Sequence, residues 1–216
     1  MYYLFINFKA YRESTSLSAI NLIRAIERNF GNDERVKIVL NPLDSMIESN
    51  LDKYIQHADP FPVGPYTGFT PVELLPSYNY KGIMINHSEH RIGKEIILKN
   101  VNEARKNGLK SMICAANLNE IKEFSLIKPD FIAYEPPELI GGNISVSDSK
   151  PEIILQAFNL LKGNGIELIV GAGVKNGKDV RKSIELGAKG VLVASGIVKS
   201  KEPITVIKDM INNLGD

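Results

Sequence analysis

Tryptophan is absent from this 216-residue chain, and cysteine occurs once, at Cys114. One thiol can form neither an intrachain disulfide nor a structural zinc site, so the fold must rest on its apolar core in a reducing compartment. Neither sign of charge is in excess: 26 Lys and Arg face 25 Asp and Glu, for a net charge of +1. That balance excludes a strong non-specific grip on nucleic acid or an anionic membrane, while leaving room for a local cationic pocket. No apolar run is long enough to span a bilayer, and the apolar start Met1-Tyr-Tyr-Leu-Phe-Ile-Asn-Phe-Lys9 has neither a basic lead nor a cleavage pattern. A cytoplasmic protein is expected. Asn86-His-Ser88 and Asn143-Ile-Ser145 match the glycosylation pattern, which carries no weight without an export signal.

The apolar share of 44% and charged share of 24% are those of an ordinary globular domain. At this length one domain over residues 1–216 is expected, burying roughly 70% of its unfolded surface. Short β-rich runs fall at Tyr2–Phe8, Val36–Leu40, Lys53–Ala58, Gly82–Asn86, Leu109–Ala115, Asp130–Tyr134, Ile166–Val170 and Gly190–Val193. Between them lie segments of helical spacing: Leu17, Ile20, Ile23 and Ile26; Ile153, Ala157, Leu160 and Leu161; and Ile204, Ile207 and Ile211. Ser16, Asn117, Pro151 and Pro203 stand where helices open, and Gly31, Gly108, Gly163, Gly165 and Gly187 where left-handed caps are expected. Eight strand–helix units, at about 27 residues each, predict an α/β fold with a parallel sheet closed into a compact (β/α)8 barrel. An open doubly wound sheet is the rival architecture.

In such a barrel the chemistry sits at the C-terminal strand ends. Asn7 and Lys9 close the first run on the side of Tyr3 and Phe5, an amide and an ammonium suited to an anionic, oxygen-rich ligand. A snorkelling lysine at a strand end is the plainer reading of the same residues. His87 follows the fourth run, where a neutral imidazole can donate to a carbonyl oxygen; a satisfied structural histidine is the alternative. His87, Glu89 and His90 match no standard metal-ligand spacing, so no metal is expected. Glu135 ends the sixth run, where partial desolvation would favour a general base, unless it is a helix-start or solvated carboxylate. Ile140-Gly-Gly142, Gly171-Ala-Gly173 and Ala194-Ser-Gly196 follow the last three strands, and such turns let backbone N–H groups converge on a phosphate. Gly171-Ala-Gly173 fails as a dinucleotide fingerprint, because residue 176 is Asn.

Taken in order, Asn7-Phe-Lys9, His87-Ser-Glu89, Ala133-Tyr-Glu-Pro136 and the late glycine turns resemble the triosephosphate isomerase family over essentially the whole chain. The shortness, and the lid Glu135-Pro-Pro-Glu-Leu-Ile-Gly141, look like its archaeal branch. The resemblance implies a TIM barrel that interconverts D-glyceraldehyde 3-phosphate and dihydroxyacetone phosphate in glycolysis and gluconeogenesis, with no cofactor. It implies Glu135 as the base, His87 as the neutral polarising donor, Lys9 as the charge beside an enediolate, and Asn7 as its positioner. Glu89 would pair with Lys9; backbone groups at Gly141, Gly173, Ala194 and Ser195 would hold phosphate, with Ile140 closing over the substrate. The long loop Asp59–Thr70 would dock into a second copy and place Thr67 near that copy's site, giving a homodimer or homotetramer. Several positions depart from the more familiar branch: the lid has no Trp, Tyr-Gly-Gly-Ser becomes Val170-Gly-Ala-Gly173, and a Glu becomes Phe69. Cys114 reads as a small buried residue at the end of the fifth strand. Another sugar-phosphate barrel enzyme would share the glycine turns without Asn7-Phe-Lys9, and a non-enzymatic barrel would need none of the four catalytic types.

Overall fold

Tyr3–Asn7 form the first strand, β1, and its alternation sets the plan of the molecule. Phe5 points inward to meet Val39, Tyr54, Met112, Phe131 and Leu192 in a core inside the barrel. Leu4 and Ile6 point outward and join Ile23, Ile26, Ile207 and Met210 beneath the helices. Each such aliphatic side chain, fully buried, contributes roughly 1.5–3 kcal/mol of transfer free energy. The remaining strands are β2 (Val36–Leu40), β3 (Asp52–Ile55), β4 (Tyr80–Ile85), β5 (Lys110–Ala115), β6 (Phe131–Tyr134), β7 (Glu167–Val170) and β8 (Gly190–Val193). In this computed structural model, described over residues 1–142 and 145–215, all eight pair in parallel and close in chain order into a barrel, β1 meeting β8. The open doubly wound sheet is thereby excluded. Part of Asn143-Ile-Ser145 lies outside the described residues.

Eight α-helices follow among the described residues: α1 (Ser16–Phe30), α2 (Lys94–Lys106), α3 (Leu118–Ser125), α4 (Val146–Ser149), α5 (Pro151–Leu161), α6 (Gly177–Glu185), α7 (Ser195–Val198) and α8 (Pro203–Asn212). They are not one per strand. After β2 and β3 only 3₁₀ turns appear, Pro42–Asp44 and Val72–Tyr78. Residues 41–51 form a crossover near the minimum length for parallel neighbours. With no α-helix in this connection, Leu43 and Met46 stay exposed.

The structure corrects four local expectations. Leu17 and Ile20 are 73% and 37% exposed; Ala19 and Leu22 are buried beside Ile23 and Ile26 instead. In α5, Ile154 is buried where Leu160 was expected to be. Ser16 does not cap α1: it is the first helical residue, at φ 55, and Asp44 Oδ1 accepts its backbone N–H at 2.9 Å. Gly108, Gly163, Gly165 and Gly187 take positive φ, whereas Gly31 stays right-handed at φ −61. Asn117 does cap α3, accepting from Glu120 N, and Pro151 and Pro203 open α5 and α8. No described helix is long and apolar enough to cross a membrane.

Candidate active site

Strand ends bring the sequence candidates to one mouth of the barrel. Asn7 is the last residue of β1 and 3% exposed. Its Oδ1 accepts the backbone N–H of Lys9 at 3.0 Å, and Lys9 itself turns at φ 50. A lysine rarely adopts this left-handed conformation, so something must hold it. Gln56, which the sequence reading did not single out, does so. Its Nε2 lies 3.1 Å from Asn7 Oδ1, 3.3 Å from the Lys9 carbonyl and 3.2 Å from the Val39 carbonyl. The available signal was an amide directly after the buried run Tyr54-Ile55. Lys9 Nζ then reaches Glu89 Oε1 at 2.7 Å, with the lysine side chain 11% exposed.

His87 follows β4 and is buried. Its Nδ1 accepts the backbone N–H of Glu89 at 3.2 Å. An acceptor nitrogen carries no proton, so the neutral ring bears its hydrogen on Nε2. Nε2 lies 3.4 Å from Glu135 Oε2, and neither atom has a hydrogen-bond partner in the protein. Glu135 continues β6, its backbone N–H donating to the Ala115 carbonyl at 2.9 Å. Gly171 makes room for it: a Cβ there would sit 2.5 Å from Glu135 Oε1. Cys114 is fully buried on the neighbouring strand. Burial first, and the Glu135 carboxylate second, push its thiol well above the ordinary range.

One cavity takes in Asn7, Lys9, Glu135, Ile140, Gly141, Gly173, Ala194 and Ser195, which gathers every candidate for phosphate contact. Tyr11 and Lys175 line it too, and neither stood out in the sequence. Ala172 and Gly173 are both left-handed, at φ 70 and 73, and Ser195 opens α7. Such a turn and a first helical residue present backbone N–H groups outward, as an oxyanion requires. Glu135 and residues 140–142 line this cavity, and between them lies a 3₁₀ turn at Pro137–Leu139 with Glu138 paired to Lys150. Among the described residues no group of three or more His, Cys, Asp or Glu is placed to hold a metal. Thr67 is not brought to the site within one chain. It lies on the exposed loop, whose neck is tied by Asp59 N to the Thr70 carbonyl and by Thr70 N to Asp59 Oδ2, each 2.7 Å.

A closed barrel whose mouth sets a buried carboxylate against a buried imidazole, with a lysine and glycine-bearing turns lining the same mouth, has the make-up of an acid–base enzyme. The triosephosphate isomerase family model matches residues 2–213. The triosephosphate isomerase of Thermoplasma volcanium is 38% identical over 216 residues, covering 98% of this chain and 100% of that one. That of Saccharolobus solfataricus is 42% identical, covering 97% and 95%, and that of Archaeoglobus fulgidus is 36% identical, covering 97% and 96%. The chain belongs to the triosephosphate isomerase family, and it is an isomerase.

Proposed function

We propose that this chain interconverts D-glyceraldehyde 3-phosphate and dihydroxyacetone phosphate, a step of glycolysis and gluconeogenesis, with Glu135, His87 and Lys9 as its catalytic residues. The proton to be moved lies on a carbon next to a carbonyl. Glu135 removes it and returns it to the neighbouring carbon, so one base serves both positions. The His87 Nε2–H donates to the carbonyl oxygen as charge develops there, and passes protons between the two substrate oxygens. Lys9, aimed by Asn7 and by the Glu89 ion pair, stabilises the enediolate in a water-poor site where oriented charge counts most. Backbone groups at Gly141, Gly173, Ala194 and Ser195 hold the phosphate.

The pair of buried, unpartnered atoms, His87 Nε2 and Glu135 Oε2 at 3.4 Å, carries this reading. A base and a donor side by side match a reaction in which adjacent carbon and oxygen atoms exchange protons. Segment 135–142, with Ile140 over the cavity, closes on the bound substrate, excludes water and keeps the enediolate from losing its phosphate. Turnover of glyceraldehyde 3-phosphate by the purified chain, read by coupled reduction of the product, tests the proposal. A folded but inactive chain would overturn it.

Residues 1–216 work as one barrel domain in the cytoplasm, and two or more copies associate through loop 59–70. In support, Phe61, Tyr66 and Phe69 cluster on that loop with ring centroids 5.1–6.0 Å apart. Tyr66 and Phe69 are 37% and 45% exposed, so the cluster offers an apolar patch that a second copy could cover. Thr67, at the loop's exposed tip, would then stand beside the second copy's Lys9 and His87.

A further inference from the structure

The residue before His87 has no part in the chemistry above, yet it closes the loop that carries it. Asn86 follows β4 at φ 63 and is 4% exposed. Among residues with a side chain, Asn accepts this left-handed turn most readily. Its amide is used at both ends. Nδ2 donates to the Cys114 carbonyl on β5 at 3.2 Å, and Oδ1 accepts the Ile92 N–H at 3.1 Å, just ahead of α2. Arg91 Nη1 approaches the Asn86 carbonyl at 3.5 Å while Arg91 pairs with Glu120 on α3. One buried amide thus ties both ends of segment 86–92 to each other and to the next strand.

That segment supplies the site twice. His87 receives its ring orientation and tautomer from the Glu89 N–H, and Glu89 receives Lys9. A displacement of the neck moves the imidazole against Glu135 and the lysine against the phosphate cradle together. We propose that Asn86 is a positioning residue whose amide aims His87 Nε2 and, through Glu89, Lys9 Nζ. Glycine would supply the turn without the two bonds; aspartate would keep the acceptor for Ile92 and lose the donor to Cys114. The need is therefore for the amide, beyond the backbone conformation. This inference rests on the reaction proposed above.

The test compares wild type, Asn86→Gly and Asn86→Asp for kcat, KM and the nitrogen spectrum of the histidine rings. Only three histidines are present, so a His87→Gln spectrum assigns the signal. In Asn86→Gly, kcat should fall about 10- to 100-fold, the scale of a displacement of about 1 Å, with KM within about threefold. The His87 signal, a single Nε2–H tautomer in wild type, should broaden or split. Asn86→Asp should show the same losses, and it decides the matter if the glycine variant does not fold. Either folded variant turning over within twofold of wild type, with an unchanged His87 signal, would overturn the inference alone. An inactive wild type would instead overturn the reaction on which it rests.

Discussion

His87 Nε2 and Glu135 Oε2 stand 3.4 Å apart at the barrel mouth, both buried and both without a hydrogen-bond partner. Leaving a buried polar atom unsatisfied costs about 1–3 kcal/mol. Their neighbours are carefully bonded: Asn7, Gln56 and Asn86 are each held by at least two contacts. A base and a donor held side by side in this way fit a reaction that moves protons between adjacent carbon and oxygen atoms.

Gly171→Ala should damage catalysis more than folding. The added methyl would lie 2.5 Å from the Glu135 carboxylate, so that side chain must turn away. A shift of about 1 Å at a reacting group costs on the order of 10²-fold in rate. The overpacking should lower stability by about 1–3 kcal/mol. Steady-state kinetics beside thermal unfolding would separate the two effects.

Gln56→Leu removes a donor shared by Asn7 Oδ1 and two carbonyls, while keeping the volume. Lys9 should lose the frame that holds it at φ 50. Stability should drop by about 1–3 kcal/mol, with weaker binding of a phosphorylated substrate analogue. Calorimetric titration with phosphoglycolate would measure the change.

Cys114 should resist alkylation in the folded protein at pH 8 and react quickly once unfolded. Burial raises the thiol above its ordinary range, and the Glu135 carboxylate adds to the effect. Because the folded state holds this proton more tightly, the contribution to stability is complete below about pH 8.5, the unfolded value. It falls as pH rises through that value. Urea midpoints should therefore decline between about pH 8 and pH 9.5, and Cys114→Ala should flatten that slope.

Thr67→Arg at the loop tip should shift the protein toward a lighter species in light scattering and lower activity per chain. The same mass and activity as wild type would detach loop 59–70 from assembly.

Strand ends were the most legible part of the sequence. β2 and β8 begin and end where their Val- and Leu-rich runs do, and Lys9, His87 and Glu135 meet because parallel strands finish at one mouth. Spacing by threes misled in α1. A helix advances about 100° per residue, so each step of three slips about 60°, and Leu17 ends on the face opposite Ile26. Leu17 is accordingly 73% exposed. The missing helices after β2 and β3 were hidden because strand counting tracks only the inner layer. Gln56 was invisible for another reason: its importance comes from Asn7 and Lys9, 49 and 47 residues away in the chain, and no local pattern records such contacts.

The proposed reaction depends most directly on Glu135. Wild type and Glu135→Gln should be assayed together for glyceraldehyde 3-phosphate turnover, with folding checked by unfolding temperature. Rapid turnover in wild type and a loss of roughly 10²–10⁴-fold in a folded variant would fit a general base at this position. Equal turnover by the two proteins would contradict it.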